Sequence, residues 1–273
     1  MSAFHLHLVS DSTGETLQSM SKAALVQFEK AEPVEHVWSM TRTLRQLDDI
    51  LDSIEKNPGL VLFTLVNKEM RTTLVKGCRK YKVPCVSILD PVMMAFSRFL
   101  GQESRDLPGR QHMLDQEYFD RIEALNYTMA HDDGQMPGGL NDADIVLVGV
   151  SRTSKTPTSF YLAHRGIKTA NVPIVPNIPL PDQVFHLNKP LVVGLTTSPE
   201  RLSQIRKNRL LSLKETHETD YVDKDRIKEE VISARKLCTK QGWPVIDVSR
   251  RSVEETAAQI ITYFHSHRRS VDG

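Results

Sequence analysis

Between Asp144 and Ser159 the chain reads D-I-V-L-V-G-V-S-R-T-S-K-T-P-T-S, residue types whose order suits the holding of a phosphate. The aliphatic run Ile145–Val148 predicts a buried strand that stops at Gly149, and Lys155-Thr156 follow six and seven residues later. Pro157 falls where the first turn of a helix should begin, a place that tolerates its fixed φ and missing N–H. Strand, tight loop and helix start make a cradle. Loop amides and the helix N-terminus point at an anion, a lysine adds a point charge, and a hydroxyl can ligate Mg²⁺. Gly149, Val150, Ser151, Arg152, Thr153, Ser154, Lys155 and Thr156 are the candidate nucleotide-binding residues, with an ordinary β–α turn as the alternative. Ser154 stands where such loops usually carry glycine, which costs something if the backbone must reach φ > 0 there.

Lys155 is the strongest single candidate. A cation at a helix N-terminus faces the positive end of the macrodipole and needs an anion nearby. Arg152 adds a second cation inside the loop. Phosphoryl transfer also needs a carboxylate for Mg²⁺, and the strand expected over Pro190–Leu195 runs into Thr196-Thr197 without an acid. Asp247 lies inside another expected strand and could serve. His131-Asp132-Asp133-Gly134 offers two adjacent carboxylates, suited to a hard cation and to a base for a hydroxyl nucleophile. The same four residues also read as an Asp-Gly turn bearing surface acids.

Other groupings carry weaker signals. Arg201, Arg206, Lys207 and Arg209 form either a solvated cationic face or a lid over phosphates. Ser10-Asp11-Ser12-Thr13-Gly14-Glu15-Thr16 reads as a second anion site facing the other lobe, or as an elaborate helix cap. His5 and His7 share one strand face but lack a third ligand, and His265, His267, Arg268 and Arg269 are expected in a solvated C-terminal tail.

Alternating strand and helix patterns supply the scaffold. Strands are expected over Phe4–Val9, Val34–Met40, Leu60–Val66 and Val83–Leu89. The helices between them carry Leu17, Met20, Ala24, Leu25 and Phe28, then Leu44, Leu47, Leu51 and Ile54, then Met70, Leu74 and Cys78. Helices over Val92–Leu100 and Tyr118–Met129 break the rhythm before it resumes at Asp144. Strands then follow at Thr169–Val175, Pro190–Leu195 and Pro244–Val248, and helices at Pro199–Leu211 and Asp223–Lys240. A capping box at Ser252-x-x-Glu255 opens the last helix, with Val253, Ala257, Ile260, Ile261 and Phe264 inward. This alternation predicts an α/β fold with parallel sheets. Its expected parts are an N-terminal α/β lobe over 1–105, a connector over 106–140 whose ends belong to the site, and a P-loop-type nucleotide-binding α/β domain over 141–273. No internal repeat is visible.

Composition agrees with an enzyme of the cell interior. The 273 residues carry 35 basic against 34 acidic side chains, which leaves no polyelectrolyte footprint and argues against nucleic acid as a partner. Cys78, Cys85 and Cys238 lack metal-ligand spacing and read as reduced, buried thiols. No apolar run reaches the length of a membrane span and Met1–Leu8 has no signal-peptide pattern, so a cytoplasmic protein without membrane association is expected.

G-V-S-R-T-S-K-T-P-T-S, with S-D-x-T-G-E-T, H-D-D-G and S-P-E-R-L-x-x-I-R, resembles the pyruvate, phosphate dikinase regulatory proteins from about Phe4 to about Phe264. These are bifunctional kinase/phosphorylases, with phosphoenolpyruvate synthase regulators as a sister branch. The resemblance implies a kinase step that takes ADP as donor and phosphorylates a threonine of the dikinase. It also implies a phosphorylase step that takes inorganic phosphate and releases pyrophosphate. It favours chemistry over a simple turn at Asp132 and Asp133, which join Lys155 and Arg152 as catalytic candidates and Thr156 as candidate Mg²⁺ ligands. The loop reads R-T-S-K-T where the synthase regulators more often have R-C-G-K-T, which favours the dikinase as partner. A protein substrate implies an open docking surface, for which the segment Pro108–Tyr118 is the candidate. The family is further expected to act on a dikinase already phosphorylated at its catalytic histidine, a phosphate that Arg152 or the Arg201–Arg209 helix could read. A homodimer stays open, as do a small-molecule P-loop kinase and a non-catalytic nucleotide sensor.

Overall fold

In a computed structural model of the chain, residues 3–29, 31–104, 116–212 and 221–271 are described. Most of the docking segment expected over Pro108–Tyr118 lies outside them. Two compact units divide the chain, Met1–Met113 and Leu114–Gly273, each α/β and each built on a four-stranded parallel sheet.

The first unit runs β1 (Phe4–Ser10), α1 (Glu15–Leu25), β2 (Pro33–Trp38), α2 (Leu44–Lys56), β3 (Gly59–Thr64), α3 (Lys68–Lys80), β4 (Cys85–Ser87) and α4 (Asp90–Leu100), with strand order β2-β1-β3-β4. Its main core joins Val9, Val61 and Phe63 of the sheet to Leu47, Ile50 and Ile54 of α2 and Met70, Leu74 and Cys78 of α3. Fully burying each such aliphatic side chain stabilises the fold by roughly 1.5–3 kcal/mol. Helix α1 stops at Leu25, so the expected face through Phe28 is not formed. The stripe that meets the sheet is Leu17, Ser21 and Leu25, while Met20 and Phe28 are exposed. Strand β4 is shorter than the expected Val83–Leu89. The N–H of Val83 still closes the end of α3 on Cys78 O, and the Ser87 hydroxyl already accepts the Asp90 N–H that opens α4.

The second unit begins with α5 (Gln116–Ala130), passes through short 3₁₀ turns at Asp132–Gly134 and Pro137–Asp142, and enters β5 (Ile145–Val150) and α6 (Lys155–Ala163). There follow β6 (Thr169–Ile174), a 3₁₀ turn at Asp182–His186, β7 (Leu191–Thr196), α7 (Pro199–Ser212), α8 (Lys224–Lys240), β8 (Val245–Asp247) and α9 (Val253–Val271). The order β6-β5-β7-β8 repeats the strand order of the first unit, a repeat of topology that the sequence does not show. All six residues of β5 are buried, as expected of a strand covered on both faces. Val146 and Val148 pack with Ala170, Val172 and Val192, and Ile145 and Leu147 pack with Leu162, Ile260 and Phe264. The capping box at Ser252 and Glu255 forms with both hydrogen bonds, 3.1 and 2.9 Å. His265, His267, Arg268 and Arg269 do not form a tail: α9 continues through them. Arg268 reaches Asp144 at 3.3 Å and lies over Phe264, and His267 Nε2 meets Lys189 O at 3.2 Å.

Candidate active site

Strand β5 runs two residues past the expected end and delivers the loop 151–154 at its C-terminal edge, next to the point where strand order reverses. That edge is where open parallel sheets hold ligands. Gly149 is needed by close approach, since a Cβ there would sit 2.3 Å from Leu195 O on β7. Helix α6 begins at Lys155, two residues earlier than Pro157 suggests, and Pro157 occupies its first turn without disturbing it. Its N-cap is Ser154 in the left-handed region at φ 59°, and Arg152 lies there too at φ 72°. Ser154 thus takes the backbone conformation that glycine takes in most such loops. No side chain caps the helix, so its first-turn N–H groups remain available to an anion.

Lys155 is 6% exposed, and its Nζ donates to Val150 O at 2.9 Å. Thr153, also buried, donates its hydroxyl to the same oxygen at 2.9 Å. Burial pulls the Lys155 ammonium down to about 8, against the opposing pull of Asp133, Asp132 and Glu230. A cation so placed is short of solvent and of contact partners, and an incoming phosphate would relieve both.

Asp132 and Asp133 reach the same cavity, of about 380 Å³, which Ser151, Arg152, Ser154, Lys155 and Thr156 also line. What brings them there is α5. Thr128 exchanges hydrogen bonds with Thr169 of β6 at 2.9 and 3.2 Å, and His131 stacks on Tyr127 with ring centroids 3.9 Å apart. The His131 carbonyl then accepts the Asn171 N–H of β6 at 3.0 Å, and Gly139 leaves room for the imidazole, since a Cβ there would lie 2.4 Å from Nε2. His131 is therefore a positioning residue, and its turn presents the two acids. Asp133 sits at φ 54° with an exposed side chain.

Asn171 ties this turn to the loop. Its Nδ2 donates to Asp132 Oδ1 at 2.5 Å and to Thr156 Oγ1 at 3.0 Å, while Thr156 donates to Asp132 Oδ1 at 3.1 Å. Sequence reading missed Asn171, although a signal existed. A polar amide in the middle of the strand T-A-N-V-P-I is buried and must be hydrogen-bonded.

The remaining candidates divide. Asp247 is engaged elsewhere, with Arg235 at 3.1 Å and Ser249 N at 2.9 Å, and does not line the cavity. Arg206 is neither solvated nor a mobile lid residue. It is 3% exposed, holds Glu230 through two 2.8 Å bonds, and lies over the Tyr221 ring at 4.5 Å. It braces α7 against α8, while Arg201, Lys207 and Arg209 are exposed. Arg152 points its Nε at Tyr221 Oη, 3.3 Å away. In the first unit, Ser10 Oγ accepts from Ser12 N and Thr64 Oγ1, and buried Asp11 accepts the Val66 N–H at 2.8 Å. These bonds brace the loop internally, and Gly14 rather than a side chain caps α1. His5, His7 and His36 gather, but His7 is already bonded to Asn57 O and Trp38 Nε1. Among the described residues no group of three His, Cys, Asp or Glu could hold a metal ion, and no helix is long and apolar enough to cross a membrane.

Two carboxylates and a hydroxyl beside a phosphate cradle fit Mg²⁺, which takes one or two carboxylates and fills its shell with substrate phosphates and water. Comparison with known proteins gives the family. A Caulobacter vibrioides protein is 55% identical over 98% of this chain and 85% of its own length. A Rhizobium meliloti protein is 55% identical over 94% and 95%, and a Sphingopyxis alaskensis protein 56% over 96% and 97%. Each is provisionally named a pyruvate, phosphate dikinase regulatory protein. Among solved structures, an ABC transporter solute-binding protein from Agrobacterium vitis bound with alpha-D-tagatopyranose aligns at 15% identity over 89% of this chain and 92% of that one. Its TM-score of 0.25 is too low to carry an argument. The model of the kinase/pyrophosphorylase family matches residues 6–261, and the chain belongs to that family.

Proposed function

We propose that this chain is a protein kinase using ADP, and a phosphorylase using inorganic phosphate, that acts on a threonine of pyruvate, phosphate dikinase. The observation that carries the reading is one cavity holding a buried, partner-poor Lys155 at a helix N-terminus together with Asp132 and Asp133. A non-catalytic nucleotide sensor would need the lysine but neither acid. Family membership supports phosphoryl transfer, and the names of the relatives support the dikinase as partner.

Each residue has a role that its surroundings suit. Lys155 and the first-turn amides of α6 hold the terminal phosphate and oppose the charge that builds on its oxygens during transfer. Asp132 and Thr156 would hold Mg²⁺, with Asn171 fixing both side chains. When bound, that ion neutralises phosphate charge and orients the leaving oxygen. Asp133 is exposed, lines the cavity and takes no part in the Asn171–Asp132–Thr156 bonds, so it is the group to take the proton from the acceptor hydroxyl. In the kinase direction the threonine oxygen bonds to the β-phosphorus of ADP, the bond to the bridging oxygen breaks, and AMP leaves. In the phosphorylase direction an oxygen of inorganic phosphate takes the phosphoryl group, and the threonine oxygen recovers a proton.

The test offers β-labelled ADP and γ-labelled ATP to dikinase with and without its catalytic histidine phosphorylated, and maps the label. Threonine labelled from ADP, on the histidine-phosphorylated form, is expected. Efficient labelling from ATP irrespective of the histidine phosphate would refute the donor and the recognition of that phosphate by Arg152 or the Arg201–Arg209 helix. No transfer to any dikinase form would refute the function.

A further inference from the structure

A second cavity, of about 880 Å³, shares Ser151 with the cavity that holds Lys155. One wall is apolar, formed by Ile174, Val175 and Pro176 at the end of β6 and by Leu237 of α8. A second is the Tyr221 ring, held by the Arg206 guanidinium across its face and by Arg152 at its hydroxyl. The third is charged and mixed in sign: Glu229 and Glu230 with Arg226. Glu230 is matched by Arg206, while Glu229 is exposed. With two arginines and two glutamates the cavity has no excess of positive charge to hold a further phosphate. Apolar and aromatic surface with carboxylate acceptors suits instead a neutral group that has a flat ring and hydroxyl donors. The cavity lies within the common size range of small-molecule sites and is contiguous with the place where phosphates are held.

We propose that this cavity is the nucleoside subsite of the donor. The base would lie between Tyr221 and the Ile174–Leu237 wall, the ribose hydroxyls would face Glu229, and Ser151 would mark the crossing to the phosphates. The proposal rests on the reading of the chain as a nucleotide-dependent phosphotransferase and adds where its nucleoside is read. It separates the two co-substrates physically: ADP occupies both cavities, whereas inorganic phosphate and pyrophosphate need the first alone.

Ser233, exposed on α8 and lining the second cavity, provides the test, since Ser233→Phe adds bulk there without replacing a core residue. Calorimetric titration of the full chain with ADP and with pyrophosphate, each with Mg²⁺, is compared between native protein and variant. The expected result is an ADP affinity lowered by about tenfold or more, the scale of losing one base–aromatic contact, with pyrophosphate affinity unchanged. Photolabelling of the native chain with 2-azido-ADP should place the adduct on Tyr221, on residues 174–177 or on α8. Equal ADP affinity in the two proteins, equal loss of both ligands, or an adduct elsewhere overturns the subsite. Binding of neither ligand by the native chain would instead overturn the phosphotransferase reading, and the subsite with it.

Discussion

Replacing Lys155 by Met should destroy function and stabilise the fold. Burial holds this ammonium at about 8 against an ordinary 10.5. At roughly 1.36 kcal/mol per unit, keeping the lysine charged in the ligand-free protein costs about 3 kcal/mol at pH 7. Methionine fills similar space without that cost. The hydrogen bond from Nζ to Val150 O is lost, worth about 1 kcal/mol, but the carbonyl keeps the Thr153 hydroxyl at 2.9 Å. The net expectation is a variant more stable by about 2 kcal/mol at pH 7. The pH dependence has a definite sign. Between about 8 and 10.5 the unfolded lysine binds a proton that the folded one has released, so native stability rises with pH through that window. Linkage puts the recovery at about 2 kcal/mol between pH 7 and 9.5, where the two proteins should become nearly equal. Trp38 and Trp243 belong to different units, so urea unfolding in a Trp38→Phe background lets Trp243 report the second unit alone. A variant less stable at pH 7, or a gap that stays constant with pH, would refute the idea that Lys155 is held short of its anion.

The same argument predicts that pyrophosphate binding at pH 8 takes up about half a proton, as the anion restores the ammonium that is half lost there; titration in buffers of different ionisation enthalpy measures it, and no uptake would count against Lys155 as the phosphate ligand. Asp133→Asn should lower turnover about 100-fold or more, the usual scale of a general base, while ADP affinity by calorimetry stays within about threefold; unchanged turnover would remove Asp133 as base. Arg206→Ala should cost about 3–5 kcal/mol by leaving Glu230 buried and unpaired, and Arg206→Met with Glu230→Leu should recover most of it in urea unfolding. Ser154→Gly removes a side chain from the phosphate cavity, which should raise the use of γ-labelled ATP relative to β-labelled ADP; an unchanged ratio would show that Ser154 does not set donor choice.

Much of the scaffold was legible because burial on both faces writes itself as unbroken aliphatic runs. I-V-L-V and L-V-V-G-L could hardly be anything but covered strands, and Ser198, Ser252 and Glu255 made helix starts readable through caps that do form. Ends were harder. Phe28, Val83 and Pro157 misled because a turn, a helix closure and a tolerated proline each override local periodicity. The loop's own residues were readable from type and spacing, but their partners were not. Asn171 is separated from Thr156 by 15 residues and from Asp132 by 39, and Arg206 meets Glu230 across 24. Such pairings depend on which strands become neighbours. The sequence leaves only a trace of them: a polar residue inside an apolar strand, or one arginine in a basic set that spacing cannot tell from its solvated companions.

The rules of local structure are broken where the chemistry is expected. Seven non-glycine residues among those described have positive φ, and Asp133, Arg152 and Ser154 line the phosphate cavity while Asn177 lines the neighbouring one. Each such backbone costs on the order of 1–3 kcal/mol. Lys155 adds the expense of a buried cation at the positive end of a helix. Four of the seven line these two cavities, while Met40, Lys82 and Met136 line neither, and the surroundings hold the four in place. Buried β5 fixes the loop's origin, the Asn171–Asp132–Thr156 bonds fix the acidic turn, and the Arg206–Glu230 pair braces the helices beside it. A loop relaxed for its own stability would prefer glycine at 154 and a neutral residue at 155. The chain carries a serine and a lysine there, and a bound anion would offset the cost of the lysine's charge at the positive end of the helix.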